Sequence, residues 1–431
     1  MTGSTCMRSL LPLALIGLLL TASPVHSITH VCITAQSYGY DCQEFNVTTE
    51  DGYILGLQRI PRGRQCVGAA NEHIPKKPIL LQHGILMDGF TWVVSPPGEG
   101  LAYALADEGF DVWISNTRGT KSSRGHKLLD ANVDAAYWGW TWVELAKFDL
   151  TANVNFVHNL TGQKVNYIAH SLGTLTALTA FSQHKLVDKV NAAALLSPIA
   201  YLKHMTNLVQ LAAEFYGDEL ISMLGIPEFI PQRYQIDQFH LSMLSRPKTT
   251  IITGKLCAFC SRCHVFLCLT VKGECSLVNY PMNPIGFQGN NCCINPSILD
   301  LFLKYEPQST STKNIMHLAQ MVRSGKLSMY DYGNGSANLK NYGVVEPPAY
   351  NLSNIPADLP LFLGYGGMDA ISDVEDVERL IDELKLFHQE GKLTCQLFED
   401  YAHADFVMAT DAKERLHRPL IEFFNSNEHS N

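Results

Sequence analysis

The chain has 431 residues, 41 acidic against 32 basic side chains, and a formal net charge of −9. That balance argues against a nucleic-acid partner, which needs clustered Lys and Arg. The length is large for one core, so one big domain carrying an insertion is expected.

At the N-terminus Arg8 precedes an apolar run over 10–20. It is too short for a membrane span, and Val25 and Ser27 suit the −3 and −1 sites of a signal-peptide cut. Residues 1–27 are therefore read as a secretory signal. No later stretch is long and apolar enough for a transmembrane anchor, so a soluble mature chain is expected. Secretion fits four Asn-X-Ser/Thr sequons, at Asn46, Asn159, Asn334 and Asn351, as glycosylation sites. It also decides how the twelve cysteines read. Cys6 leaves with the signal, and seven of the remaining eleven crowd between Cys257 and Cys293. In an oxidising compartment such density reads as disulfides rather than a zinc site, with at least one thiol left over.

The elements follow in order. Residues 44–60 read as a hairpin about Asp51-Gly52. Residues 78–82 and 110–115 are buried strands, and 142–160 has helical apolar spacing. Residues 164–169 form a strand and 172–184 a helix. Strands at 192–196, 360–365 and 393–399 complete the pattern, with a helix over 374–388 between the last two. Alternating strand and helix means βαβ units and a largely parallel sheet. The interval from Leu196 to Pro360 is far longer than a crossover of about 30 residues. It is read as carrying an inserted cap with the cysteine cluster. The expected layout is signal 1–27, core 28–199, cap or lid 200–325, and core 326–431.

The segment "YIAHSLGTLT" holds Ser171 between a strand and a helix, the setting of a nucleophile elbow. The chains close up two residues before and two after such a serine, so only small side chains fit. Gly173 meets this at one side, and Ala169 brings only a methyl to the other. The plain alternative is a serine capping a helix. Two further sites in the order serine, acid, histidine favour the nucleophile. Asp369 follows a strand in a Gly-rich loop, and His403 lies in a loop after the next strand. Asp373 is an alternative acid, but it suits the N-cap of the following helix. His170 points away from a base's position and is read as structural. The oxyanion amides are expected from Leu172 and from Ile85, after His83-Gly84, with Leu86 as the alternative.

The chain resembles the acid lipase family of α/β hydrolases, the group of gastric and lysosomal lipases and their plant relatives. The resemblance rests on "EFNVTTEDGYILGLQRIP", "LLQHGILMDGFTWV", "LADEGFDVWISNTRGT", "AHSLGT", "SGKLSMYDYG", "GGMDAISDVEDV" and "YAHADF", in the family's order from about residue 40 to 410. The "HSLGT" form is similar to the plant branch. The family triad carries over to Ser171, Asp369 and His403, and its oxyanion amides to Leu172 and Ile85. The resemblance implies an α/β-hydrolase fold, hydrolysis of acylglycerols or sterol esters at an oil or membrane interface, and no metal or cofactor. It implies a site outside the cell or in a vacuole or lysosome. Two departures stand out: Ala169 in place of the usual glycine, and a cysteine-rich cap unlike that of animal members. A phospholipase or acyltransferase would use the same triad. A catalytically inactive lipid-binding protein would be expected to lack one of its members.

Overall fold

A computed structural model describes residues 28–64, 76–205, 225–229, 255–260, 265–270 and 291–427. The expected signal segment and much of the expected cap lie outside the described residues. Among the described residues, no helix is long and apolar enough to cross a membrane.

The centre is a nine-stranded sheet. Its strands are β1 (Gln43–Thr48), β2 (Tyr53–Ile60), β3 (Pro78–Gln82), β4 (Asp111–Ser115), β5 (Gly125–His126), β6 (Val165–His170) and β7 (Val190–Leu196). β12 (Leu361–Gly366) and β13 (Leu393–Phe398) follow the insertion. The order is β1-β2-β4-β3-β6-β7-β12-β13, with the short β5 paired to β2. β1, β2 and β5 pair antiparallel, and β2 meets β4 antiparallel. From β4 to β13 every pairing is parallel. This is the largely parallel sheet that the strand–helix alternation predicts, in the α/β-hydrolase fold that the resemblance implies.

The parallel strands read as continuous apolar runs because both faces are covered. Side chains alternate across the sheet. Leu80, Trp113, Tyr167 and Ala169 join the core on one face. Ile79, Leu81, Val112, Ile114 and Ile168 join the core on the other. A core helix, Leu172–Ser182, is buried along its whole length, which is why its sequence shows no polar stripe.

Of the interval 200–325, short pieces are described. β8 (Glu228–Phe229) pairs antiparallel with β11 (Thr310–Ser311). β9 (Lys255–Cys260) pairs with β10 (Val265–Thr270) in a register that sets Cys257 opposite Cys268. The helix Thr312–Ser324 lies against the main domain: His317 stacks on Trp142 with ring centroids 4.3 Å apart. Two disulfides join Cys32 to Cys42 and the adjacent Cys292 and Cys293. Cys395 is a free, exposed thiol among the described residues.

Candidate active site

Four of the parallel strands deliver their following loops to one edge of the sheet, the carboxyl end, where ligands bind in open α/β sheets. Ser171 follows β6, Asp369 follows β12, His403 follows β13, and Ile85 follows β3.

Ser171 has φ 55° and ψ −120°, a left-handed conformation that a non-glycine residue adopts only under constraint. Two contacts supply it. The Ser171 N–H donates to the Leu196 carbonyl at 3.0 Å, and the Thr174 N–H donates to the Ser171 carbonyl at 2.8 Å. The strand-to-helix turn leaves little room. A Cβ on Gly173 would stand 2.8 Å from Gln82 Cγ and 3.0 Å from the carbonyl oxygens of Gln82 and His83. Ala169, in β6, is fully buried between β3 and β7, and its one methyl fits. The two collar positions are therefore unequal. Gly173→Ala is expected to cost about 1–3 kcal/mol through overpacking. A thermal melt measures this, and an unchanged Tm would contradict the close contact.

Asp369 is oriented by its own loop. Its Oδ1 accepts the N–H groups of Ile371 and Ser372, both at 2.9 Å. The same carboxylate meets His403 Nδ1 at 2.8 Å from Oδ2 and 3.1 Å from Oδ1. Both side chains are buried. The loops approach closely because Gly366 and Gly367 lack Cβ atoms; one on either would fall inside van der Waals distance of the Tyr401 or Glu399 carbonyl. Asp373 caps the helix Val374–Lys385, accepting from the Glu375 N–H at 2.9 Å, whereas Asp369 is the acid that meets His403.

With Nδ1 bound to a carboxylate, His403 presents Nε2 to the site. Among the described residues the Ser171 hydroxyl makes no direct hydrogen bond to His403. Such bonds commonly tighten when substrate binds. Ser171 is joined to the histidine loop by its neighbour. His170 Nε2–H donates to the His403 carbonyl at 2.9 Å, and the two rings lie 4.7 Å apart. Burial, with the neighbouring His403 adding to it, holds His170 well below its ordinary pKa, so the ring stays neutral. This is the structural role expected of it.

No hydrogen bond among the described residues uses the backbone N–H of Leu172 or of Ile85. Leu172 opens its helix, where unpaired amides favour negative charge. Gly84 lies against the serine; a Cβ there would stand 3.0 Å from Ser171 Cβ. The amide after Gly84 belongs to Ile85, and the next residue, Leu86, has φ 59°.

Two supporting residues escaped sequence reasoning. His83 is buried, its Nδ1–H donates to the Gly84 carbonyl at 2.8 Å, and its Nε2 accepts the Thr117 N–H at 3.1 Å. Burial keeps its pKa below the ordinary value, which suits this neutral tautomer. Asp405, two residues past His403, is fully buried. Its oxygens accept the N–H groups of Ala402 at 2.8 Å and of Cys292 and Cys293 at 3.1 Å each. It ties the histidine loop to Cys292 and Cys293, within the interval read as the cap. The motif "YAHADF" contains Asp405, but its partners Cys292 and Cys293 lie more than a hundred residues away. Cys292, Cys293 and Asp405 are also the one group of three metal-ligating side chains among the described residues. The two sulfurs are bonded to each other and the carboxylate is occupied by backbone donors, so the group is arranged as a brace.

Residues 32–96 match the model of a partial α/β-hydrolase lipase region, and 77–222 match the α/β hydrolase fold. The chain is 46% identical to triacylglycerol lipase 2 of Arabidopsis thaliana, over 90% of this chain and 85% of that one. The chain belongs to the acid lipase family of α/β hydrolases. It is 37% identical to triacylglycerol lipase 1 of Arabidopsis thaliana, over 95% and 93% of the two chains. It is 31% identical to the human lysosomal acid lipase/cholesteryl ester hydrolase, over 93% and 92%. This acid lipase relative is a carboxylic ester hydrolase of the serine type.

Proposed function

We propose that the chain hydrolyses carboxylic esters of lipids, triacylglycerols foremost, through an acyl-enzyme on Ser171. The observation that carries this reading is the buried Asp369–His403 pair, 2.8 Å apart, hydrogen-bonded through His170 to the elbow of a strained serine. His403 Nε2 takes the hydroxyl proton as Ser171 Oγ attacks the ester carbonyl. Asp369 holds the imidazole in the required tautomer and stabilises its charged form. The amides of Leu172 and Ile85 bind the oxyanion. The C–O bond to the alcohol breaks, and the alcohol leaves with the proton from His403. Water, deprotonated by His403, then attacks the acyl-enzyme and releases the fatty acid and Ser171. Protein groups and water complete the cycle.

The plant relatives named as triacylglycerol lipases favour acylglycerols over sterol esters as the leading substrate. Such substrates collect at an oil or membrane surface, and a long acyl chain gains about 0.8 kcal/mol per methylene buried. A lid within 200–325 that opens at the surface fits this demand. The secretory route, ending outside the cell or in a vacuole or lysosome, is supported by the Cys32–Cys42 disulfide and by the exposed positions of Asn46, Asn159, Asn334 and Asn351. The test is the purified chain against emulsified triacylglycerol, sterol ester, phospholipid and a short soluble ester, with water and alcohol as acceptors. Free fatty acid from triacylglycerol at the highest rate is the expected result. Faster release from phospholipid, or ester exchange in place of hydrolysis, would replace this reading. A rate that rises as ester passes its solubility limit supports the lid, and a smooth hyperbola removes it.

A further inference from the structure

The loop after β3, residues 84–88, is held by residues 306–308, near the end of the interval read as the cap. The Gln308 N–H donates to the Leu86 carbonyl at 2.7 Å. The Asp88 N–H donates to Glu306 Oε1 at 3.0 Å. Gln308 is itself pinned: its Nε2 donates to the Tyr305 carbonyl at 2.7 Å, and its Oε1 accepts the Lys121 N–H at 2.8 Å. Glu306 thus reaches the loop three residues beyond Ile85.

Asp88 and Glu306 are both fully buried, and the Asp88 N–H on Glu306 Oε1 sets the two acidic residues side by side. Two ionised carboxylates buried side by side repel each other, which favours a proton on one of them. Partners decide which. Asp88 has His30 Nε2 at 3.1 Å and accepts the Phe90 N–H at 2.8 Å. Burial pushes the Asp88 carboxyl up, but these partners outweigh it and hold it below the ordinary range. For Glu306, burial and the neighbouring Asp88 charge act together, and its carboxyl is raised well above the ordinary range. The titratable groups facing the pair are His30 on the helix His30–Ser37, Tyr305 stacked on His30 at 4.7 Å, and His83 after β3, which burial keeps neutral. The arrangement at acid pH is one proton on Glu306 and one charge on Asp88.

We propose that Glu306 is a positioning residue for the oxyanion hole, holding the 84–88 loop through the Asp88 backbone, with its carboxyl group buried beside that residue. This rests on the reading of Ser171 as nucleophile and of Ile85 as an oxyanion donor. It gives the hole a pH dependence separate from that of His403. A carboxyl raised in the folded state contributes fully below its unfolded value. That contribution is lost as pH rises through the raised value. Loss of the proton sets two buried negative charges side by side under the loop, and the Ile85 amide is displaced.

The experiment compares kcat across acid to alkaline pH for wild type and Glu306→Gln, on a monomeric soluble ester. Glutamine keeps the acceptor for the Asp88 N–H and stays uncharged at every pH. Losing one oxyanion donor costs about 10²–10³ in kcat. Partial displacement should therefore raise the alkaline-to-acid kcat ratio of the variant about tenfold over wild type, with KM unmoved. Asp88→Asn, which removes the second of the two charges, is expected to flatten the same alkaline limb and serves if the first variant does not fold. Superimposable profiles for wild type and both variants overturn the proposal. Phosphonate labelling of wild-type Ser171 in the same samples separates the two levels. Absence of label overturns the nucleophile reading, whereas labelling with unchanged profiles overturns the role of Glu306 alone.

Discussion

Ser171→Ala is expected to lower kcat by about 10⁶-fold, the scale found when a triad nucleophile is removed. The effect should be confined to chemistry. Ser171 is only 5% exposed, its backbone bonds are made by N–H and carbonyl groups, and no side-chain cap on the following helix depends on its hydroxyl. Alanine keeps the N–H to Leu196 and the carbonyl to Thr174, so Tm should move little. The φ of 55° is as demanding for alanine as for serine, which leaves the strain unchanged. The check is turnover of a soluble ester with phosphonate labelling and peptide mapping. Label recovered on another serine, or kcat within about tenfold of wild type, would end the assignment.

Legibility was high where a residue's role is set by its immediate neighbours. The β3, β6, β7, β12 and β13 strands all show as short apolar runs bounded by turns, and their bounds in the structure agree with the reading to within one or two residues. Asp373 was legible as a cap because capping is local. What stayed hidden depends on distant partners. The helix His30–Ser37 is rich in β-branched residues, and its formation draws on the burial of Val31, Cys32 and Ala35 and on the Cys32–Cys42 bond. The helical stretch after Thr141 contains a π-helical turn over Leu145–Asp149, where Asp149 meets the buried Arg118 at 2.6 Å. No periodicity announces that pairing. Asp405 and Glu306 are the same kind of case. Each is an ordinary acidic residue in the sequence, and each takes its role from a chain segment that only the fold brings near.

Asp369→Asn is expected to lower kcat about 10⁴-fold with KM nearly unchanged, and the reason lies in which atoms already hold the carboxyl group. Oδ1 accepts two backbone N–H groups, from Ile371 and Ser372. In the variant, only the amide oxygen can stand there. The NH₂ is then turned toward His403 Nδ1, in the place of the oxygen at 2.8 Å. Two donors cannot face each other, so the imidazole must turn Nδ1 into an acceptor and carry its proton on Nε2. That tautomer cannot take the proton of Ser171. Asp369 and His403 are buried, so water does not easily relieve the mismatch. The fold should persist, because both backbone donors keep an acceptor. The measurement pairs steady-state kinetics on a soluble ester with the rate of phosphonate labelling, which needs the same proton transfer. Both should fall together. A variant that labels at the wild-type rate would show that Asp369 does not set the tautomer, and Asp373, whose oxygen is taken by the Glu375 N–H, could not replace it without unwinding its helix cap.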